Sequence, residues 1–298
     1  AGMTATLETK GLHEKMKDLA GAQTVITAFL HSNTKPTDAN MTNANVISTS
    51  DSETPIYLWR DGTAFKWWSK AEIVNAGSDL DGFFYGYSSL TDISGLADWN
   101  TGSVTSMNQM FRGCNKLENV NALAEWNTIN VTRLSSMFMN CSSLTNLDGL
   151  KKWDTTNVTT LGGMFMNCSS LTNLDGLENW NTTNVTQMNG MFNGCSKLKN
   201  ISALAEWNTT NVTQMNMTFY YCSELESISA LANWNTANVT DMTWTFIGCK
   251  KLTDASAINE WDITAVTSFK QMFYNCPSHP NFTKRAGTWS GGTFIPTT

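Results

Sequence analysis

Apolar side chains recur along most of this 298-residue chain with a period of 27 residues. One unit, read from Leu144 to Cys168, has the sequence LTNLDGLKKWDTTNVTTLGGMFMNC. Its nine apolar positions are Leu144, Leu147, Leu150, Trp153, Val158, Leu161, Met164, Phe165 and Cys168. Asparagine, threonine and glycine, which favour turns, stand between them. A fixed period of this length predicts a repeat protein in which each unit packs against the next.

Cysteine, tryptophan, valine and phenylalanine keep the same register through seven copies, from Trp99 to Cys276. The cysteines are Cys114, Cys141, Cys168, Cys195, Cys222, Cys249 and Cys276, which are all the cysteines of the chain. The tryptophans are Trp99, Trp126, Trp153, Trp180, Trp207, Trp234 and Trp261. We expect equivalent residues to lie directly over one another, so that neighbouring units complete each other's core.

Within the unit the pattern predicts short elements. The segment after each cysteine, for example residues 170 to 177, is apolar at intervals and predicts a brief parallel strand, and Val-Thr-x-Met predicts a second one. Met191 and Cys195 have helical spacing and predict one helical turn. Trp-Asn-Thr-x-Asn predicts a turn, because asparagine and threonine side chains hydrogen-bond to nearby backbone.

The two ends of the chain depart from the repeat and predict caps. Residues 1–54 form a non-repeat segment, with a short helix indicated by Leu12, Met16 and Leu19 and a loop from Ser32 to Thr54. Residues 55–98 contain a predicted hairpin around Asp61-Gly62 and a partial repeat. Residues 99–276 are the seven repeats, and residues 277–298 are the C-terminal cap.

The repeat resembles bacterial surface leucine-rich repeats of the BspA-like type and the related repeats of bacterial surface lipoproteins. The string that carries the resemblance is Val104-Thr105-Ser106-Met107, then Met110-Phe111, Cys114 and Leu117, and it returns in all seven copies. The resemblance covers about residues 80 to 276. It implies a right-handed, leucine-rich-repeat-like solenoid and a role in adhesion or recognition at a microbial surface.

Composition removes several classes of function. Charged residues make up 15% of the chain, the net charge is −6 and the pI is about 5.1. The chain therefore lacks a basic surface for nucleic acid. No apolar run is long enough to insert into a membrane. Ala1 and Gly2 precede Met3 as a cloning or proteolysis remnant would, so a targeting segment could have been removed.

The cysteines admit three interpretations: a metal site, a set of disulfides, or buried free thiols. Thiols 27 residues apart, without a CxxC pair, do not match metal-ligand spacing. Disulfides between adjacent repeats are geometrically conceivable, because strands pack about 4.8 Å apart. The count of seven is odd, however. We predict seven reduced cysteines that behave as small apolar residues.

Catalysis and cofactor binding find no support in the sequence. The histidines are His13, His31 and His279, all outside the seven repeats. Acidic side chains such as Asp148 and Asp175 recur at equivalent positions and are not paired with a base. Because acid–base and nucleophilic chemistry need unlike groups in one pocket, we expect a non-enzymatic protein without a cofactor or metal.

Two surfaces are candidates for binding. The first is the face after each cysteine, where Asn146, Asp148, Asn173 and Asp175 present small polar groups; ordinary solvation is the competing interpretation. The second lies in repeats five and six, where larger side chains replace Asn, Gly and other small residues. These are Tyr220, Tyr221, Trp244 and Ile247. They form either an exposed interaction patch or part of a locally shifted core.

Threonine forms two further series that resemble ice-binding surfaces. One contains Thr105, Thr132, Thr159, Thr186, Thr213, Thr240 and Thr267, and the other contains Thr101, Thr128, Thr155, Thr182, Thr209 and Thr236. The favoured interpretation is structural, with β-branched residues and hydroxyl groups at turns. Triplets such as Asn184-Val185-Thr186 match the glycosylation motif and are equally explained by turn chemistry.

These observations predict a recognition and adhesion module of a bacterial surface protein, extracellular or surface-located, that binds a protein or glycan ligand. One alternative is a receptor-binding component of a phage tail or similar virion particle, attached through the N-terminal segment. A second alternative is a structural spacer. The sequence does not predict the ligand or the oligomeric state.

Overall fold

The N-terminal segment is a small mixed unit in the computed structural model, which describes residues 2–298. Its elements are β1 (Thr4–Thr6), α1 (Leu12–Ala20), β2 (Ala28–His31), β3 (Ile56–Asp61), β4 (Ala64–Ser69), β5 (Ile73–Asn75) and 3-10 helices at Gln23–Val25, Asp38–Asn40 and Asn43–Asn45. Helix α1 buries Leu12, Met16 and Ala20 on one face and ends at Gly21, where φ is 74°. A glycine ends the helix here because the left-handed conformation is unfavourable for other residues.

The sheet of this segment is built around β4. Strand β3 pairs with β4 in antiparallel register, and β2 pairs with β4 in parallel register. Strand β5 pairs separately with β1. The segment packs on the first turns of the repeat region, where the Trp67 indole donates to the carbonyl of Gly95 at 2.8 Å and the Phe29 N–H donates to the carbonyl of Asp92 at 2.7 Å.

The repeat region is a turn-rich stack in which equivalent residues of neighbouring repeats lie side by side. The phenylalanine rings stack at centroid distances such as 5.5 Å between Phe111 and Phe138, and tryptophan rings at 6.3 Å between Trp180 and Trp207. The seven phenylalanines, the first six cysteines and the seven tryptophans are all buried. The 27-residue sequence period is therefore also the period of the packing.

The strands predicted within the repeat are shorter than expected. The residue that follows Val-Thr forms a single parallel bridge with its equivalent in the next repeat, through the series Ser106, Arg133, Thr160, Gln187, Gln214, Asp241 and Ser268. The segment after the cysteine also supplies only isolated bridges, Asn119 to Asn146 and Asn173 to Asn200. Turns on both sides of each bridge prevent the pairing from extending along the chain.

The helical turn predicted over Met191–Cys195 is wrong in its position. That segment is a series of turns, and the short helices lie after the cysteine, where a strand was predicted. They are 3-10 helices at Ser94–Leu96, Asn121–Leu123, Asp148–Leu150, Ser202–Leu204, Ser229–Leu231 and Ser256–Ile258. The preceding asparagine, aspartate or serine explains this, because its side-chain oxygen accepts the backbone N–H two residues on, as Asn146 does from Asp148 and Asp254 does from Ser256.

The C-terminal end of the stack is covered by a hairpin of β6 (Gly287–Ser290) and β7 (Thr293–Pro296). The carbonyl of Gly292 accepts the Phe273 N–H, and the Thr293 hydroxyl accepts the Gln271 N–H, both at 2.9 Å. In the other repeats the equivalent N–H groups donate to carbonyls of the following repeat. The hairpin therefore supplies the acceptors that a following repeat would provide.

Candidate recognition surface

The segment that leads into each cysteine has an unusual backbone. Two positions per repeat, five residues and one residue before the cysteine, have positive φ; they are Gln109, Gly113, Ser136, Asn140, Gly163, Asn167, Gly190, Gly194, Met217, Tyr221, Trp244, Gly248, Gln271 and Asn275. We call these the left-handed positions. Every non-glycine residue with positive φ in residues 2–298 belongs to this set.

The left-handed positions lie in a segment that bonds alternately to its own repeat and to the next one. Gly190 and Gly194 donate N–H groups to the carbonyls of Asn216 and Tyr220 in the next repeat, at 2.9 and 2.7 Å. Between them, the N–H of Asn193 bonds within its own repeat, to the carbonyl of Gly190. The first six repeats all bond in this way, so the left-handed backbone recurs throughout the stack.

Large side chains occupy the left-handed positions of repeats five and six. Trp244 has φ 59° and Tyr221 has φ 53°, whereas repeat four carries Gly190 and Gly194 at the equivalent positions. Tyr220 packs against both, with ring centroids 4.7 Å from Tyr221 and 6.1 Å from Trp244. We call Tyr220, Tyr221 and Trp244 the aromatic cluster. All three side chains are half-buried, so part of each ring faces solvent.

Neighbouring residues of repeats six and seven fix the orientation of these rings. The Trp244 indole donates to the Gln271 amide oxygen at 3.0 Å, and the Lys270 ammonium lies 5.5 Å from the centre of the Trp244 ring. The Tyr221 ring lies over Gly248, where an added Cβ would come within 2.4 Å of the ring. A cation above an aromatic face is attracted by the ring electrons, so Lys270 stabilises this arrangement.

Ile247 does not belong to this surface, which corrects the sequence prediction. Its side chain is 6% exposed, because it turns into the packed face instead of outward. The other large residues are not part of a shifted core, because Thr218 and Thr245 fill the buried position that methionine holds in the other repeats. The Thr218 hydroxyl donates to the carbonyl of Met215 at 2.7 Å, so the substitution leaves no unsatisfied hydroxyl there.

Comparison with known proteins identifies the repeat family. A family model described as "Mycoplasma protein of unknown function, DUF285" matches residues 78–203 and 196–291, more than half of the chain. The chain belongs to the DUF285 family. No curated protein and no solved structure gives a significant match.

The second candidate surface of the DUF285 chain, after each cysteine, is built from Asx turns. Asn146 and Asn173 use their side-chain oxygens to accept the N–H groups of Asp148 and Asp175, at 2.8 and 3.0 Å. Asp148 and Asp175 remain exposed and stand in adjacent repeats. The structure therefore brings these four predicted residues onto one polar face, far in sequence from the aromatic cluster, and gives the two asparagines a structural role.

Shallow polar grooves mark this polar face at two places. One of about 460 Å³ lies between Asp92 and Asn119, and one of about 390 Å³ lies between Lys199 and Glu226. The lining side chains are solvated and lack a convergent set of unlike groups.

The threonine series have structural roles in the DUF285 repeats. The Thr132 hydroxyl donates to the carbonyl of Thr105 at 3.2 Å, and the same geometry recurs up to Thr267. In the second series, the buried Thr128 hydroxyl donates to the carbonyl of Asp154 at 2.9 Å. Asparagines of the Asn-x-Thr triplets also bond between repeats, as Asn184 does to the carbonyl of Thr156 at 2.6 Å. These groups satisfy backbone acceptors, which accounts for their regular spacing.

The seven cysteines are free thiols, and six of them are fully buried. Each thiol donates to a phenylalanine carbonyl of the preceding repeat, as Cys195 does to Phe165 at 3.2 Å. Burial raises the pKa of the Cys195 thiol to about 12. Cys276 is half-buried, and the hydrogen bond from Cys249 lowers its pKa. In the part of the chain that the structure describes, no group of three or more His, Cys, Asp and Glu side chains is arranged to hold a metal ion.

None of the helices described between residues 2 and 298 has the length and hydropathy of a membrane span. The longest is α1, with nine residues.

The sequence indicated the residues of the aromatic cluster, but it did not indicate the left-handed backbone positions that carry Tyr221 and Trp244. Lys270 and Gln271, which hold Trp244, were also missed, because only stacking reveals which residues of the next repeat are neighbours. A signal was present: glycine or asparagine recurs immediately before most cysteines, at Gly113, Asn140, Asn167, Gly194, Gly248 and Asn275. Those residue types are the ones that tolerate positive φ.

Proposed function

We propose that this chain is a non-enzymatic recognition and adhesion module of a bacterial surface protein. In this proposal the repeat stack is a right-handed, leucine-rich-repeat-like solenoid of the BspA-like type, and it binds a protein or glycan ligand outside the cell. The observation that carries the proposal is the aromatic cluster, a group of partly exposed rings held in an otherwise small-residue surface. The family description, which names Mycoplasma, supports a bacterial origin.

The stacking supports this function because the residues that hold the fold together are not the residues exposed on the surface. Phenylalanine, tryptophan and cysteine fill the interior in every repeat, so outward residues vary without disturbing the core. Variation of this kind concentrates in repeats five and six. Partly exposed Tyr and Trp side chains are the residue types most enriched at binding hot spots.

The placement of the histidines supports a non-enzymatic role. His31 pairs with Asp98 at 2.8 Å and stacks on Trp67, while His279 stacks on Trp289 in the C-terminal cap. Each therefore packs where a cap meets the stack or within the cap itself. The imidazole of His31 hydrogen-bonds to a carboxylate and that of His279 to the carbonyl of Pro280, whereas an acyl- or group-transfer site would pair a histidine with a nucleophile.

A glycan and protein array, probed with the labelled chain, tests the proposed function. We expect binding to at least one class of ligand, and we expect Tyr220→Ala and Trp244→Ala each to weaken that binding. Tyr85→Ala is the matched control, since Tyr85 stands at the position equivalent to Tyr220 in the partial repeat and is 41% exposed. Absence of all binding, with the chain folded, contradicts a recognition function and favours a structural spacer.

A further inference from the structure

We infer that the aromatic cluster, together with the Gln271 amide beside it, is a binding subsite for an uncharged saccharide. This inference rests on the proposed recognition function and narrows its ligand to one chemical class. It is drawn from three features: the left-handed backbone that carries Tyr221 and Trp244, the uncharged polar groups of the cluster and of Gln271, and the small extent of the cluster.

The large residues of the cluster stand at positions that favour glycine. A residue other than glycine is strained in the left-handed conformation, and a bulky side chain more so. Tyr221, Trp244 and Met217 all have positive φ, and glycine occupies the equivalent positions in repeat four. Strain of this kind is typical of functional sites, where the displayed group is used.

The uncharged polar groups of the cluster are two phenol hydroxyls and one amide. The hydroxyls of Tyr220 and Tyr221 can each donate and accept a hydrogen bond. The Gln271 amide oxygen accepts the Trp244 indole N–H at 3.0 Å, which leaves the NH2 group of this amide as a donor for a ligand. Lys270 is the charged side chain that contacts the rings, and it lies over the Trp244 face.

These features together match the chemistry of a sugar ring. A pyranose has apolar C–H faces that pack on aromatic rings, and its hydroxyl groups exchange hydrogen bonds with amides. An acidic ligand would require more cations than Lys270 alone, particularly on a chain with a net charge of −6. A protein partner typically covers about 800 Å² on each side, whereas the cluster spans two repeats.

Titration of the folded chain with neutral saccharides tests this subsite. The probes are triacetylchitotriose, maltotriose and mannotriose, followed by a broader neutral glycan array, with sialyllactose as the acidic comparison. Isothermal titration calorimetry measures affinity, and the indole N–H resonance of Trp244 reports contact. We expect a neutral saccharide to bind and to shift that resonance, with weaker binding of the acidic one.

The variants Trp244→Gly and Tyr221→Gly remove the rings and introduce glycine, which repeats three and four carry at the position of Trp244 and repeats one, four and six at the position of Tyr221. We expect each to weaken saccharide binding about tenfold or more while the chain stays folded, because glycine relieves the left-handed strain. Gln109→Gly is the matched control: it relieves the same strain in repeat one, away from the cluster, and should leave binding unchanged.

Three results overturn the inference. Failure of the chain to bind any neutral saccharide at millimolar concentration does so, and so does saccharide binding that survives both glycine variants. Binding of a protein or peptide alone on the array also does so, but it leaves the proposed recognition function intact. Loss of all binding to every class of ligand removes the proposed function as well.

Discussion

The indole N–H of Trp153 donates to the carbonyl of Leu123, thirty residues earlier, at 3.0 Å. Five other tryptophans of the repeats make the same bond, from Trp126 to Trp261. The bond joins each repeat to the one before it through a buried, directional contact. It therefore fixes the register of the stack, which hydrophobic packing alone specifies less strictly.

Replacing Trp153 by phenylalanine should destabilise the chain more than the same change at Trp99. The Trp99 indole N–H is buried without a partner, because no full repeat precedes it, so Trp99→Phe removes no hydrogen bond. Both changes remove similar apolar volume. We expect Trp153→Phe to lower the free energy of unfolding by about 1 kcal/mol more than Trp99→Phe, as measured by urea denaturation. Equal losses would show that the indole bond contributes nothing to stability.

Gly149 should not tolerate a methyl group. A Cβ at this position would lie 2.1 Å from the carbonyl oxygen of Val120, and backbone cannot move aside as a side chain can. We expect Gly149→Ala to cost about 1 to 3 kcal/mol of stability. Gly162→Ala is the control, since its nearest neighbour is the flexible Asn189 side chain at 3.1 Å. A similar loss at both positions would contradict the steric explanation.

Thiol reagents should distinguish Cys276 from the other cysteines. Cys276 is half-buried and its pKa is lowered, whereas the remaining six thiols are fully buried with raised pKa values. Because the thiolate is the reactive form, we expect one cysteine to react in the native chain near pH 8 and all seven to react in denaturant. Mass spectrometry counts the labels, and Cys276→Ala should abolish native labelling. Rapid labelling of several cysteines would mean that the stack opens readily.

Stability should fall as the pH rises above about 9. Burial raises the folded-state pKa of Cys195 from 9.0 to about 12, so between these values the unfolded chain releases a proton that the folded chain retains. The contribution of this thiol is therefore complete below pH 9 and is lost as the pH approaches 12, at up to about 1.4 kcal/mol per pH unit. Thermal unfolding at pH 7 and pH 10 measures the change. Cys195→Ala should reduce the slope, and an unchanged slope would contradict this assignment.

Much of the architecture could be predicted from the sequence, because the same local interactions are repeated many times. The 27-residue period, the buried phenylalanines and tryptophans, and the hairpin that contains Asp61-Gly62 follow from hydrophobic spacing and turn residues. The individual elements were harder to place. The short helix lies after the cysteine and not before it, because the Asx turn at Asn146 favours a 3-10 helix where apolar spacing alone suggested a strand.

The tertiary structure decided how the surface residues are presented. Sequence singled out Tyr220, Tyr221 and Trp244 by their departure from the repeat, since a departure is visible without coordinates. Their half-buried packing, the burial of Ile247 and the contacts of Trp244 with Lys270 and Gln271 depend on which residues adjacent repeats bring together. A sequence period specifies that repeats are equivalent; which residues of the next repeat each side chain meets depends on the backbone conformation and on inter-repeat hydrogen bonds that form only when the repeats stack.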